Sequence, residues 1–225
     1  MNTRKIEKAV ARIREALPEG VLLVAAAKGR TVAEVEAAIR AGVTAIGHNY
    51  VQEAERMIAV LGDRAKWHLI GHLQKNKVKK AVGLFDLLET VDSWPLTEQI
   101  ERRCAAIGKV MPVLVEVNSG REATKTGVLP EEVEDLIRRL ADLRHLHVQG
   151  LMTMGPRFGD PEEARPYFRE TKALFDRIAA AGIPNVEMRA LSMGMSNSYE
   201  VALEEGANMV RIGTKLFGPR ESENA

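Results

Sequence analysis

The sequence has little of what would mark it as secreted, stapled, fibrous or membrane-spanning. It holds one cysteine, Cys104, which excludes a disulfide framework and a thiolate zinc site. No uninterrupted apolar run reaches the roughly 18 residues of a spanning helix, and no leading apolar segment reads as a secretion signal, so the expected home is the cytoplasm. Charge of one sign is lacking as well: 32 Lys and Arg face 31 Asp and Glu, a formal +1. That balance offers no broad field to nucleic acid or anionic lipid, and aromatics at 4% leave few platforms for stacked bases. No Pro-, Gly- and Ser-rich linker and no low-complexity tract interrupts the chain. What is present is 225 residues, 45% hydrophobic and 28% charged, enough for one globular domain over 1–225.

Short β-rich runs alternate with longer amphipathic ones. The runs are Val21–Ala27, Val43–Gly47, Lys66–Ile70, Leu84–Thr90, Val110–Val117, His147–Met152, Val186–Leu191 and Met209–Ile212. An additional helix opens the chain, with Ile6, Val10, Ile13 and Leu17 on one face. Thr31 with Glu34 makes a capping box, and Asp160, Pro161 and Glu163 supply an N-cap, a preset first turn and an N3 acid. Eight βα units predict an α/β fold, a single (β/α)8 TIM barrel with its ligands at the C-terminal ends of the strands; a doubly wound open sheet is the alternative.

Lys28 ends the first run, at the strand end where such a fold places its site. An amine beside an apolar wall is suited to attack an aldehyde; the bland reading is a strand end reaching solvent. Leu191–Ser196 and Arg211–Thr214 follow or close the seventh and eighth runs, where barrels often bind phosphate. Small residues there, Gly194, Ser196, Gly213 and Thr214, let an anion approach and add hydroxyl donors; two ordinary turns are the alternative. Arg211 carries a permanent charge toward the mouth, to meet either a ligand or a carboxylate on a neighbouring strand. His68 and His72 lack an acidic third ligand at a characteristic spacing, so no metal is expected, and His145 and His147 read the same way. Lys75, Lys77, Lys79 and Lys80 read as a solvated helix face. Glu116, Asn118, Glu122 and Lys125 either line the mouth after the fifth strand or pair with each other.

Several segments together resemble the YggS/PROSC family of pyridoxal 5′-phosphate (PLP)-binding, PLP homeostasis proteins, from about Val21 to Arg220. They are Ala25-Ala26-Ala27-Lys28, Gly47–Glu53, Trp67–Lys77, Val117-Asn118 with Lys125–Gly127, Gly150–Thr153, Leu191–Ser196, Arg211–Thr214 and Phe217–Arg220. The resemblance implies a barrel related to the N-terminal domain of alanine racemase, with PLP held by Lys28 as an internal aldimine. It also implies that Ser196, Gly213 and Thr214 hold the phosphate, helped by Met195 and the Ser192–Gly194 turn, that Arg211 faces the pyridine nitrogen, and that Asn49 lines the ring side. Two positions depart from the family pattern: His48 stands where an acid is usual, expected to alter the bonding near Asn49, and Ser198 stands for an aspartate, expected to alter a helix start.

The function implied is PLP homeostasis, a carrier without established turnover, exchanging PLP with the cellular pool or with PLP-dependent apoenzymes. A PLP-dependent racemase or decarboxylase is the enzymatic alternative, and an imine-forming aldolase on a phosphosugar uses the same lysine and phosphate site. A racemase needs acid and base groups on both faces of a carbanion. No nucleic-acid or membrane partner is expected, and a monomer is, because no residue from a second copy is needed to complete the pocket.

Overall fold

The eight apolar runs become eight parallel strands that close on themselves in chain order, β8 pairing with β1. In the computed structural model, described for residues 3–155 and 159–219, the strands are β1 (Leu22–Ala26), β2 (Ala45–His48), β3 (Lys66–Leu69), β4 (Leu87–Val91), β5 (Met111–Val117), β6 (Leu146–Thr153), β7 (Val186–Ser192) and β8 (Met209–Ile212). The helices are α1 (Thr3–Ala16), α2 (Val32–Arg40), α3 (Val51–Leu61), α4 (Val78–Leu84), α5 (Trp94–Ala105), α6 (Val133–Ala141), α7 (Arg165–Ala180), α8 (Tyr199–Glu204) and α9 (Thr214–Phe217). The barrel is the expected one, and the open sheet is not formed.

Alternation along each strand sorts the core into two shells. Val24, Ala45, Ile70, Leu87, Leu114, Met152, Ala190 and Met209 fill the interior, while a larger shell lies between strands and helices. Gly150 in β6, at φ +147°, lets β7 come close: a Cβ there would stand 1.8 Å from the Ala190 carbonyl oxygen. The register of β6 with β7 shifts at this point. β7 and β8 share little backbone pairing, and the Asn208 side chain stitches them, accepting from Leu191 N–H at 2.8 Å and donating to Arg189 C=O at 2.7 Å.

The Thr31–Glu34 capping box forms as the sequence predicts. Three local expectations are corrected. The fourth strand starts at Leu87 because Leu84 and Phe85 end α4, where Phe85 N–H returns to Ala81 C=O; both elements are apolar there, so the run did not reveal the boundary. Asp160 and Pro161 open a 3-10 turn, Pro161–Ala164, and α7 starts at Arg165 with its own proline, Pro166. Lys75 and Lys77 lie in another 3-10 turn, and only Lys79 and Lys80 ride α4; Lys80 pairs with Glu55 at 2.8 Å. Arg220, the last residue of the resemblance, lies outside the described residues.

Candidate functional site

Two residues along each strand moves a side chain one layer up the barrel interior. Above Leu87, Leu114, Ala190 and Met209 therefore come Glu89, Glu116, Ser192 and Arg211, all of them buried. The floor of the mouth is thus polar, over an apolar plug.

Three of these groups, with His68 of β3, form one chain of hydrogen bonds. His68 Nδ1 lies 2.7 Å from Glu89 Oε1, the Ser192 hydroxyl donates to Glu89 Oε2 at 2.6 Å, and an Arg211 guanidinium N–H donates to Ser192 Oγ. Arg211 also donates to Thr153 C=O at 2.7 Å, with a guanidinium nitrogen 3.9 Å from Glu89. Burial alone would raise the Glu89 pKa; the bond from His68 and the charges of His68 and Arg211, with the bond from Ser192, hold it below the usual carboxylate value. Burial pulls Arg211 down, against the charges of Glu89 and Glu116. Arg211 thus both lines the mouth and meets a carboxylate, and that carboxylate stands on β4, across the barrel rather than on a neighbouring strand. Glu89 was missed by sequence reasoning; its signal is an acid inside the apolar run Leu87–Val91.

Over this floor opens a cavity of about 980 Å³ that brings together Lys28, Asn49, Met195, Ser196, Arg211, Gly213 and Thr214. Ser192 is not in its wall; it lies beneath, its hydroxyl spent on Glu89 and Arg211. Lys28 is half-buried, two residues beyond β1, its Nζ 5.0 Å from the centre of the Tyr50 ring. Its loop is held on both sides. Gly29 N–H donates to Glu53 Oε2 at 3.1 Å, and Arg30 donates to the carbonyls of Phe217 and Gly218 just past the eighth strand. Asn49 lies against Gly71, where a Cβ would fall 2.6 Å from the Asn49 carbonyl oxygen; only glycine allows that approach.

The β7 and β8 turns are tied to each other. Ser196 Oγ accepts from the N–H groups of Gly213 at 3.2 Å and Lys215 at 3.4 Å, and Arg211 N–H donates to Gly194 C=O at 3.1 Å. Gly194, at φ +86°, has no room for a Cβ, which would sit 2.8 Å from Tyr199 Cα. Ser198 does more than begin a helix: it makes no side-chain cap bond, and its Oγ accepts from Met195 N–H at 3.3 Å within the loop.

His48 is also corrected. Gly47 occupies the inward position of β2, so His48 faces outward, stacked on Trp67 at 5.9 Å between ring centroids and away from Asn49's pocket side. It is fully buried, among the described residues neither ring nitrogen has a hydrogen-bond partner, and burial pushes its pKa down to about 4. Its ring is neutral in the fold at neutral pH. Below the ordinary value of 6.5 the unfolded chain takes up a proton that the folded chain refuses, so stability falls from pH 6.5 toward 4 by about 3 kcal/mol. Denaturant melts of His48→Phe at pH 7 and 4.5 should show that loss abolished; parallel profiles for variant and parent would sink the assignment.

The other sequence candidates disperse. His72 pairs with Asp92 at 3.2 Å, His145 with Glu101 at 2.8 Å, and His147 lies 3.7 Å from Glu187. Among the described residues no group of three or more His, Cys, Asp or Glu is placed to hold a metal. No helix among them is long and apolar enough to cross a membrane. Burial raises the Cys104 thiol to about 11, which leaves it inert. Glu116, Asn118, Glu122 and Lys125 all line the cavity, and Asn118 and Lys125 also bond to Glu122, while Glu116 bonds to Thr126 instead.

The sequence profile of the alanine racemase N-terminal domain matches residues 1–221. A pyridoxal phosphate homeostasis protein of Aquifex aeolicus is 44% identical over 181 residues, 80% of this chain and 78% of that protein. Another, of Pasteurella multocida, is 34% identical, with 89% and 87% covered. PipY of Synechococcus elongatus, solved with PLP bound, superposes with a TM-score of 0.87 at 32% identity, covering 95% of this chain and all of that one (100%). Alanine racemase of Clostridium difficile shares the fold alone, with a TM-score of 0.82 at 18% identity over 98% of this chain and 57% of that one. With a barrel mouth of this construction and relatives matched along most of its length, the chain belongs to the pyridoxal phosphate homeostasis protein family, on the barrel of the alanine racemase N-terminal domain.

Proposed function

We propose that the protein binds PLP in the barrel mouth and serves intracellular PLP homeostasis as a carrier. The observation that carries the reading is the convergence of the Lys28 amine, the buried Arg211 guanidinium and two small-residue turns on a single cavity. The residues fit the group. A cation fixed by its own carboxylate floors the site, glycines at 71 and 194 stand where a Cβ would clash, and Ser196 and Thr214 add hydroxyl-bearing side chains to the cavity wall.

When bound, PLP supplies an aldehyde, a pyridine ring able to accept electrons and a phosphate anion. Lys28 presents its amine to the aldehyde, with its loop held by Glu53 and Arg30. Ser196, Gly213 and Thr214 would hold the phosphate, and Met195 flanks them on a loop tied down by Ser198. Arg211, anchored from behind by Ser192 and Thr153, keeps a positive charge at the base of the mouth. A guanidinium facing a ring nitrogen disfavours a proton there and weakens the ring as an electron sink, which suits holding over turnover. Asn49 lines the ring side. A monomer, cytoplasmic location and delivery to PLP-dependent apoenzymes are part of the same proposal.

Purified protein should turn yellow on addition of PLP, and a colourless protein indifferent to PLP overturns the reading. Turnover of an amino acid at an ordinary enzymatic rate, about 1–1,000 per second, replaces the carrier with a catalyst.

A further inference from the structure

The cavity wall at the end of β5 is a loop with anchored stems and a lobe between them. Every residue from 118 to 126 except Arg121 and Ala123 lines the cavity. At the base, Asn118 N–H donates to Val128 C=O at 2.9 Å and Val128 N–H to Glu116 C=O at 2.8 Å, so the chain leaving β5 and the chain returning toward α6 run side by side. Gly127, at φ +106°, allows this approach, since a Cβ there would stand 2.7 Å from the Asn118 nitrogen. The stems are held by side chains as well. Ser119 Oγ lies 2.8 Å from Thr153 Oγ1, and Thr126 Oγ1 donates to Glu116 Oε1 at 2.8 Å.

Residues 120–125 lack such anchors. Among the described residues their hydrogen bonds and ion pairs stay within the loop, as where Asn118 Nδ2 donates to Glu122 C=O at 3.0 Å and Lys125 pairs with Glu122, with one exception. Arg121 turns away from the cavity and reaches α7, where its guanidinium donates twice to Glu170, at 2.6 and 3.0 Å, and once to Glu131, at 3.3 Å. It does so from φ +51°, a left-handed backbone disfavoured for residues that carry a Cβ. The Arg121 and Glu170 side chains are 48% and 36% exposed, a setting in which an ion pair adds little to the stability of a fold. A strained backbone and a weak bond at the outer edge of a cavity wall suit a catch that opens, not a permanent brace.

We propose that residues 120–125 are a hinged wall of the PLP cavity, latched to α7 by Arg121 and Glu170, and that opening of this latch sets how fast PLP enters and leaves. Neither latch residue lines the cavity, so their effect passes through the position of the wall and not through contact with a ligand. The inference rests on the PLP reading and adds to it the route of exchange, the step on which a carrier's use depends. Where a ligand passes only through a sparsely populated open form, loosening the latch multiplies entry and exit by the same factor and leaves the equilibrium affinity unchanged. A residue that binds PLP directly would change the affinity, and one that only stabilises the fold would change the melt.

The test follows exchange of bound PLP for isotopically labelled PLP on the full chain, fixed by borohydride at timed intervals, with uptake read as absorbance after rapid mixing. Arg121→Asn, whose side chain tolerates a left-handed backbone, and Glu170→Gln should each speed uptake and release by about threefold, the scale of an exposed ion pair. The dissociation constant and the thermal melt should stay as in the parent. Arg121→Glu, which sets like charges against each other, should exceed both, and the charge swap Arg121→Glu with Glu170→Arg should return exchange toward the parent rate. In the protein without PLP, a glutamyl endopeptidase should cut after Glu122 faster in Arg121→Asn and Glu170→Gln than in the parent. Unchanged exchange, faster release without faster uptake, a charge swap as fast as Arg121→Glu, or unchanged cleavage overturns the latch. A parent that ignores PLP while both variants are cut faster keeps the latched wall and discards the cofactor reading.

Discussion

Replacing Lys28 with alanine should abolish the covalent retention of PLP. Borohydride treatment of the parent protein is expected to fix PLP to one peptide, the one carrying Lys28, because reduction turns the carbon–nitrogen double bond into a stable amine. In Lys28→Ala that peptide mass should be unmodified and no other lysine should take over. Lys215, also in the cavity wall, has its Nζ 4.6 Å from the centre of the Tyr199 ring, on the side of the seventh and eighth strands. The two turns, Arg211 and Asn49 remain, so weak reversible binding should survive, lowered at least about a hundredfold, or roughly 3 kcal/mol. PLP found on a different lysine of the parent would remove Lys28 from its role. The variant should melt like the parent, since Lys28 is half-buried and neither of the bonds that pin its loop comes from its side chain.

The second large effect is on folding. Glu89→Ala leaves the Arg211 guanidinium buried at 3% exposure without the carboxylate that stands 3.9 Å from it. Breaking a buried ion pair from one side costs about 3–5 kcal/mol, because the remaining charge is left uncompensated. That is a large share of the roughly 5–15 kcal/mol that holds a domain folded. Urea unfolding should therefore show a marked drop in midpoint for Glu89→Ala. The double variant Glu89→Leu with Arg211→Met should recover part of the loss, since it avoids burying charge but takes from His68 and Ser192 the bonds they made to Glu89. A double variant as unstable as the sum of the two singles would mean the groups do not act as a pair. The same double variant should also lose PLP affinity, which separates the stabilising role of the pair from the binding role of Arg211.

The strands were legible because a parallel barrel buries both faces of its sheet, so each strand reads as a short apolar run between helical patterns. The mouth was legible for a related reason: strand ends are fixed by those runs, and Lys28 and the Gly194 and Gly213 turns sit at three of them. Long-range pairing was not legible. Ser192 and Glu89 bond across the barrel from 103 positions apart, and nothing local announces which inward residues will meet. His48 was misread although its direction was written in the sequence, since Gly47 takes the inward place and alternation sends its neighbour out. Ser198 was misjudged because a serine before a helix has two uses, capping the helix or bracing the preceding loop, and spacing alone does not choose between them.

The opening helix has a consequence for how the molecule is made. Residues 3–16 pack their apolar stripe, Ile6, Val10 and Ile13, against α2 and α9. The four residues of α9 follow the strand β8 that pairs with β1, and α1 packs against α9 there. During synthesis that greasy stripe can meet α2 early, but the part that packs on α9 must wait for roughly two hundred residues more, emerging at about 5–20 residues per second. Nascent chains halted before position 209 are thus expected to be the form most in need of a chaperone.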